Sequence, residues 1–272
     1  MIKILIVGLP GNMATIFAKH AIKDDGIDIL NYSITGNETE ENVYEIDGHT
    51  FNLIKANDKA GIKQLFENNK DIIAVDYTEP HVVENNIDLY CRKKIDFIVG
   101  TTGVAVAKVS EKIRDAKVNA VIAPNMGKQI VAIQAMVQYA AENFPNCFKG
   151  YNLTVTESHQ KGKMDTSGTA RAMVEYFNKL GMSFNGDKII KYRDPKKQLE
   201  LGVPKEHLSG HGWHTYAFTS DDESVHIEIT HNVNGRDIYA DGTIDSIYYL
   251  YKKIESGVQG TIFSMIDVLK NE

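Results

Sequence analysis

The residues best suited to chemistry lie in one stretch, Glu157-Ser-His-Gln-Lys-Gly-Lys-Met-Asp-Thr-Ser-Gly-Thr-Ala170. It brings a histidine, two lysines and a small polar turn, Thr166-Ser167-Gly168-Thr169, into a short span. Lys163 is a candidate proton donor. An ammonium has an unperturbed pKa of about 10.4, and burial or a neighbouring cation brings it toward useful acidity. His159, four residues earlier, suits an acid/base partner or a stabiliser of developing negative charge. Lys161 reads as a solvated surface charge. The small turn can hold a carboxylate through backbone N–H groups and hydroxyls at a helix start. Ser167, Gly168 and Thr169 are the candidate cradle. The chemistry indicated is proton delivery to a small acid. The same residues would also suit an ordinary strand, polar loop and capped helix.

Such a segment needs elements to position it. Leu153 to Thr156 reads as a strand leading in, and Ala170 to Leu180 as a helix leading out, capped by Thr166 or Ser167. A second loop points to a cofactor. Ile2 to Val7 is a continuous apolar run, suited to a buried parallel strand, and it enters Gly8-Leu-Pro-Gly-Asn-Met-Ala14 before a helical pattern. Gly8 permits the tight turn, and Gly11 lets backbone approach a pyrophosphate at the helix N-terminus. Ala14 takes the third position, as the dinucleotide fingerprint allows. The candidate contacts in this loop are Gly8, Leu9, Pro10, Gly11, Asn12 and Met13.

The first half continues in alternation. Strands are expected at Ile27 to Thr35, Ile72 to Asp76, Phe97 to Val99 and Ala120 to Ala123. Helices are expected at Asn57 to Asn69 and His81 to Lys94. This pattern predicts an α/β fold with a Rossmann-like, doubly wound parallel sheet, whose ligands lie beyond the carboxyl ends of the strands. The strand ends then supply Tyr77 and Thr78, Gly100, Thr101 and Thr102, and Ala123, Pro124, Asn125 and Met126 to one crevice. Thr102 is assigned to substrate as well as to cofactor. The second strand ends at Thr35-Gly-Asn37, with Thr35 and Asn37 as candidate contacts. No acid stands at its tip to bond a ribose 2′-hydroxyl, and Glu38 is expected too far round the turn. NADPH is therefore favoured over NADH.

The second half changes style. A long helix, Gln129 to Phe144, precedes strands at Tyr151 to Thr156, Trp213 to Thr219 and Ser224 to His231. In the last, Val225, Ile227 and Ile229 should be buried, opposite His226, Glu228 and Thr230. This predicts an α+β substrate domain with a mixed open sheet. Residues 236 to 255 and Ile262 to Leu269 read as helices returning to the first domain. The expected division is a dinucleotide-binding domain of 1–127 with 236–272, and a substrate-binding and oligomerisation domain of 128–235.

Composition narrows the class. The chain has 272 residues, 43% hydrophobic, with a net charge of −6 and no basic stripe, so nucleic acid is not the expected partner. Cys91 and Cys147 form neither a disulfide framework nor a metal site, and no metal is expected. No apolar run reaches membrane-spanning length and no signal peptide is visible, which makes the cytoplasm the expected compartment.

Taken together, these motifs resemble the dihydrodipicolinate reductase family. The resemblance rests on Gly8 to Ala14, Gly100-Thr-Thr-Gly103, Ala123-Pro-Asn-Met126, Glu157 to Ala170, His231-Asn-Val-Asn-Gly-Arg236 and Ala240-Asp-Gly-Thr243. It implies hydride transfer from NAD(P)H to C4 of a cyclic dicarboxylate imine, followed by protonation of the adjacent ring carbon, within diaminopimelate and lysine synthesis. It further implies a cofactor role for Arg236 and a homo-oligomer. Gln160 stands where the family usually has a second histidine, and the proline before Ser-Gly-Thr is absent. These departures, with the insert from Arg193-Asp-Pro195 to Gly212, resemble the plant-type branch. Gln160 is a candidate substrate contact, as a neutral donor. Two other readings are another Rossmann-type dehydrogenase acting on an amino acid or sugar, and a non-enzymatic dinucleotide sensor. Neither would require the segment from His159 to Thr169.

Overall fold

The computed structural model describes residues 1–271. In chain order the elements begin with β1 (Ile2–Val7), α1 (Asn12–Ala21), β2 (Ile27–Ile29), β3 (Tyr32–Thr35), β4 (Val43–Ile46), β5 (His49–Lys55) and α2 (Lys59–Asn68). Then come β6 (Ile73–Asp76), α3 (Pro80–Lys93), β7 (Asp96–Val99), α4 (Val106–Ala116), β8 (Ala120–Ile122) and α5 (Lys128–Asn143). These are followed by β9 (Tyr151–His159), α6 (Gly168–Lys179), β10 (Ile190–Tyr192), α7 (Pro195–Glu200), β11 (His211–Ser220) and β12 (His226–Asn234). The chain finishes with α8 (Asp237–Glu255), β13 (Ile262–Phe263) and α9 (Met265–Lys270). They form two compact units, one of Met1–Lys128 with Asp237–Glu272, the other of Gln129–Arg236.

The first unit is built on a six-stranded sheet of order β13-β8-β7-β6-β1-β2. All its pairings are parallel. Such strands need cover on both faces, and the sequence supplies unbroken apolar runs. Leu5, Val7, Ala74, Phe97, Val99 and Ala120 are buried in one cluster with Ile87 and Tyr90 of α3 and Ile113 of α4. This is the doubly wound Rossmann-like sheet the alternation predicts. Two details differ from the sequence reading. The expected strand Ile27 to Thr35 breaks after Ile29, and β3 joins β5 and β4 in a separate three-stranded sheet. The expected helix Ile262 to Leu269 spends its first residues on β13, which pairs with β8. A capping box at Ser264 and Asp267 then starts α9.

The second unit carries a four-stranded sheet of order β10-β9-β11-β12, with β10 parallel to β9 and the other pairings antiparallel. Val155, Tyr216 and Phe218 meet Met173, Val174 and Phe177 of α6 on one face. The alternation in β12 has the expected parity but not the expected burial. Ile227 is exposed, whereas His231 and Val233, further along the same face, are buried. The other face is polar, with a shallow hollow lined by Thr156, Ser158, Trp213, Thr215 and Thr230. Among the described residues, no helix is long and apolar enough to cross a membrane.

Candidate active site

Four neighbouring strands of the first unit, β8, β7, β6 and β1, end on the same edge of their parallel sheet. Gly8 has φ +108°, and its N–H donates to the Ile34 carbonyl at 2.9 Å. Gly11 precedes α1 and donates to the Gly8 carbonyl at 2.8 Å. A Cβ on Gly11 would stand 2.7 Å from that oxygen, so the turn itself excludes a side chain. The first turn of α1, with Asn12 and Met13, has no acidic residue and no side-chain cap. A helix N-terminus presented by so tight a turn fits a pyrophosphate. Leu9 is buried and donates to Ser33 Oγ, and Leu9-Pro10 is a cis peptide.

The other strand ends interlock. Asp76 is fully buried and accepts from Thr78 Oγ1 at 2.6 Å, Tyr90 Oη at 2.7 Å and Asn86 Nδ2 at 2.9 Å. Burial raises its pKa against the pull of those bonds. Thr101 donates to the Thr78 carbonyl at 2.6 Å, and Tyr77 is hydrogen-bonded to Thr243. The side-chain groups of Tyr77, Thr78 and Thr101 thus shape the loops, and Thr102 is the exposed hydroxyl of its turn. Gly100 lies under the Tyr77 ring. Ala123 and Met126 are buried, while Asn125 accepts from the Gly127 N–H at 2.8 Å. Pro124 lies between them, in the turn after β8.

At the tip of β3, Thr35 is bonded to Thr39 at 2.8 Å, and Asn37 accepts from the Asn57 N–H at 2.9 Å. Glu38 does not lie far round the turn as expected. Its carboxylate folds back over Gly36, overlapping the space a Cβ there would take. Lys55 donates to the carbonyls of Thr39 and Glu41.

In the second unit, β9 is longer than expected and carries Glu157, Ser158 and His159 into the sheet. Glu157 faces inward, and its side chain is wholly buried. One carboxylate oxygen is paired with Arg193, and the other accepts from the Ser167 N–H at 3.0 Å. Arg193 also donates to the carbonyls of Lys163, at 2.7 Å, and Asp165, at 3.2 Å. One guanidinium therefore ties a buried acid to the loop bearing Lys163. Ser167 is the residue before α6, but its hydroxyl caps nothing, and its backbone serves Glu157 instead. Gly168 and Thr169 open that helix, which has no acid in its first turn. A Cβ at Gly168 would meet nothing within 4 Å, so the cradle is open on that side.

Lys163 Nζ lies 2.8 Å from Asp165 Oδ1, and its side chain is 24% exposed. That contact holds the Asp165 carboxyl below its usual range. His159 Nε2 faces His214 Nε2 at 3.2 Å. Burial, then the charges of Arg193 and Lys163, push the His159 pKa down to about 4. His159 is therefore neutral near pH 7. Gln198, wholly buried, donates to the His159 carbonyl at 2.7 Å. Gln160 is half-buried beside it. The structure thus gathers His159, Gln160, Lys163, Ser167, Gly168 and Thr169 in one unit. Arg236 stands in this unit too, packed on Gly210 and donating to the Ser209 carbonyl at 3.4 Å. Donor atoms of Glu157, His159 and His214 lie within 4.8 Å of one another. A cation there would meet the charges of Arg193 and Lys163, with Glu157 already neutralised, so the set fits a hydrogen-bond cluster better than a metal centre.

Sequence reasoning missed Glu157, Arg193, Gln198 and His214 as parts of this site. The available signal was positional. His214 falls opposite Glu157 when β11 is set against β9, on the inward face.

Comparison with known proteins now decides the family. Residues 2–126 match the model of dihydrodipicolinate reductase, N-terminus, and residues 129–269 that of dihydrodipicolinate reductase, C-terminus. The chain belongs to the dihydrodipicolinate reductase family. It is 43% identical over 269 residues to a probable chloroplastic 4-hydroxy-tetrahydrodipicolinate reductase 1 of Oryza sativa subsp. japonica, covering 98% of this chain and 78% of that one. Identity to the chloroplastic reductase 1 of Arabidopsis thaliana is 42% over 271 residues, covering 99% and 78%. A reductase from Ralstonia pickettii (strain 12J) is 29% identical over 230 residues, covering 82% and 81%. Among these, the plant dihydrodipicolinate reductases are nearer, in line with Gln160 and the insert. The fold matches a dipicolinate-bound dihydrodipicolinate reductase from Paenisporosarcina sp. TG-14, with a TM-score of 0.67 at 17% identity over 97% of both chains.

Proposed function

We propose that this chain reduces 4-hydroxy-tetrahydrodipicolinate to tetrahydrodipicolinate with NAD(P)H, in diaminopimelate and lysine synthesis. The observation that carries the reading is the loop bearing the Lys163 ammonium, whose backbone Arg193 ties to the buried Glu157 and which leads into the N-terminus of α6. A cyclic dicarboxylate needs both features. The start of α6, at Ser167, Gly168 and Thr169, holds one carboxylate through its positive end. Lys163 donates a proton to the ring carbon adjacent to C4. Neutral His159 packs beside this loop without adding a second positive charge near the ammonium. The reduced nicotinamide, when bound, supplies the hydride, and the first unit's strand ends hold that dinucleotide.

For the cofactor, the ground for favouring NADPH was an acid-free strand tip. The Glu38 carboxylate over Gly36 stands near that tip, and Glu40 and Glu41 follow it. A 2′-phosphate dianion would meet this acidic loop with Lys55 already engaged, so NADPH and NADH are both carried as partners at Thr35 and Asn37, and their relative rates decide between them. Assembly into a homo-oligomer belongs to the same proposal.

The test is loss of NAD(P)H absorbance when the upstream enzyme's product is supplied, with each cofactor in turn. Lys163→Ala should lower kcat by about 10²–10⁴-fold while leaving cofactor Kd unchanged. Near wild-type kcat in that variant would remove Lys163 from the reaction.

A further inference from the structure

The two nitrogens of His159 have different partners, and together they define its hydrogen. Nδ1 lies 3.1 Å from the His211 carbonyl oxygen. A carbonyl only accepts, so Nδ1 carries the hydrogen and Nε2 the lone pair. Nε2 lies 3.2 Å from His214 Nε2, which must then be the donor. That assignment leaves His214 Nδ1 as a lone pair, and this atom is buried with no partner. An orphaned acceptor is tolerated inside proteins more readily than an orphaned N–H, so the assignment is consistent at both rings.

His214 is 4% exposed and lies between Glu157 on β9 and His231 on β12. Its ring centroid is 4.7 Å from that of His231 and 6.3 Å from that of Tyr216. A buried phenylalanine would fill such a place without desolvating two nitrogens. The polar ring is explained by what its N–H does.

We propose that His214 is a positioning residue that holds His159 as the neutral, Nδ1-protonated tautomer by donating to its Nε2. The proposal rests on the reading of His159 as part of the reductase site and adds a residue to it. The groups facing His159 are His214 and the carbonyl of His211 on β11, Arg193 beyond β10, Lys163 on the loop and Glu157 on its own strand. Those facing His214 are His159, His231, Tyr216 and Glu157. His159 is held down to a pKa of about 4 and His214 well below its usual value, burial being the first cause for each. The cationic neighbours act in the same direction as the hydrogen bond, keeping an imidazolium away from Lys163.

The test uses three variants of the full chain. His214→Gln places an amide N–H where Nε2 stands. His214→Phe keeps a ring and loses the donor. His214→Asn keeps an amide that is too short to reach. Long-range ¹H–¹⁵N spectra of the imidazoles report the His159 tautomer without any substrate, so this readout stands even if the assigned reaction fails. The Nδ1–H pattern should persist in wild type and His214→Gln. In His214→Phe, loss of the donor bond should raise the His159 ionisation by about half to one pH unit, and the acid limb of kcat/KM should follow it. If His214→Phe does not fold, the Gln and Asn variants give the same contrast. An unchanged tautomer and ionisation in both donor-free variants, or a Gln variant that matches them, overturns the proposal.

Discussion

Replacing Arg193 with leucine strands a charge that the fold cannot easily release. The Glu157 side chain is 0% exposed, with Arg193 as its ion-pair partner and the Ser167 N–H as its other hydrogen bond. His214 stands at 3.9 Å but is held neutral by burial. Removing one member of a buried pair costs about 3–5 kcal/mol, chiefly because the other is left uncompensated. At about 2–4 °C per kcal/mol, that is a fall in Tm of about 6–20 °C. Adding Glu157→Gln takes the orphaned charge away, and an amide oxygen can still accept from Ser167. The double variant should therefore recover at least half of the loss, although it lacks one more native group. Calorimetric melts of wild type, both singles and the double at pH 7.5 give the coupling directly. A double variant melting at or below Arg193→Leu, or a single variant within about 2 °C of wild type, would refute the account of this pair as a charge-matched clamp.

Three further outcomes follow from the geometry. Gly11→Ala should weaken dinucleotide binding in calorimetric titration and also disturb the turn, because its Cβ would meet the Gly8 carbonyl at 2.7 Å; unchanged affinity would clear this loop of a cofactor role. His159 and His231 both have folded pKa values pushed down to about 4, below the reference of 6.5, so the unfolded chain binds more protons between those values. Stability should be full above about pH 6.5 and fall as pH drops toward 4, by up to about 3 kcal/mol for each ring; urea midpoints independent of pH across that window would contradict it. Gln160→Ala should raise the substrate KM, spare cofactor Kd and lower kcat modestly. Gln160→His should add a KM ionisation near neutrality if the position meets a carboxylate, and a flat profile with a normal alanine variant would take Gln160 out of the pocket.

Much of this was legible in sequence for a plain reason. Strands buried on both faces must be apolar throughout, and β1, β6, β7 and β8 are short apolar runs ending in small polar turns. The polar segment after β9 stood out by composition. Three things were not legible. The break between β2 and β3 falls at Asn31, within a run whose apolar spacing continues across it. Glu157 and His159 read as loop because acidic and basic residues seldom point into a core; only tertiary partners make them tolerable there. Arg193 and His214 lie 36 and 57 positions beyond Glu157, and no local periodicity reports a contact over that distance. Such failures of local rules are expected where a site is built.

The split of the first unit has a consequence for synthesis. β13 pairs with β8, α8 packs on α1, and the Gly242 backbone lies against the Met126 carbonyl, too close to admit a Cβ. All three partners are made early, and all three contacts wait for the last part of the chain. By the time Arg236 is joined, every residue of the four-stranded sheet has been made, whereas the parallel sheet still lacks its β13 edge and the cover of α8. At ribosomal rates of about 5–20 residues per second, residues 237–272 take about 2–7 s. Through that interval the β8 edge and the apolar face of α1 stand open to other nascent chains. The second unit's residues are thus all made before the first unit receives its last strand and helices.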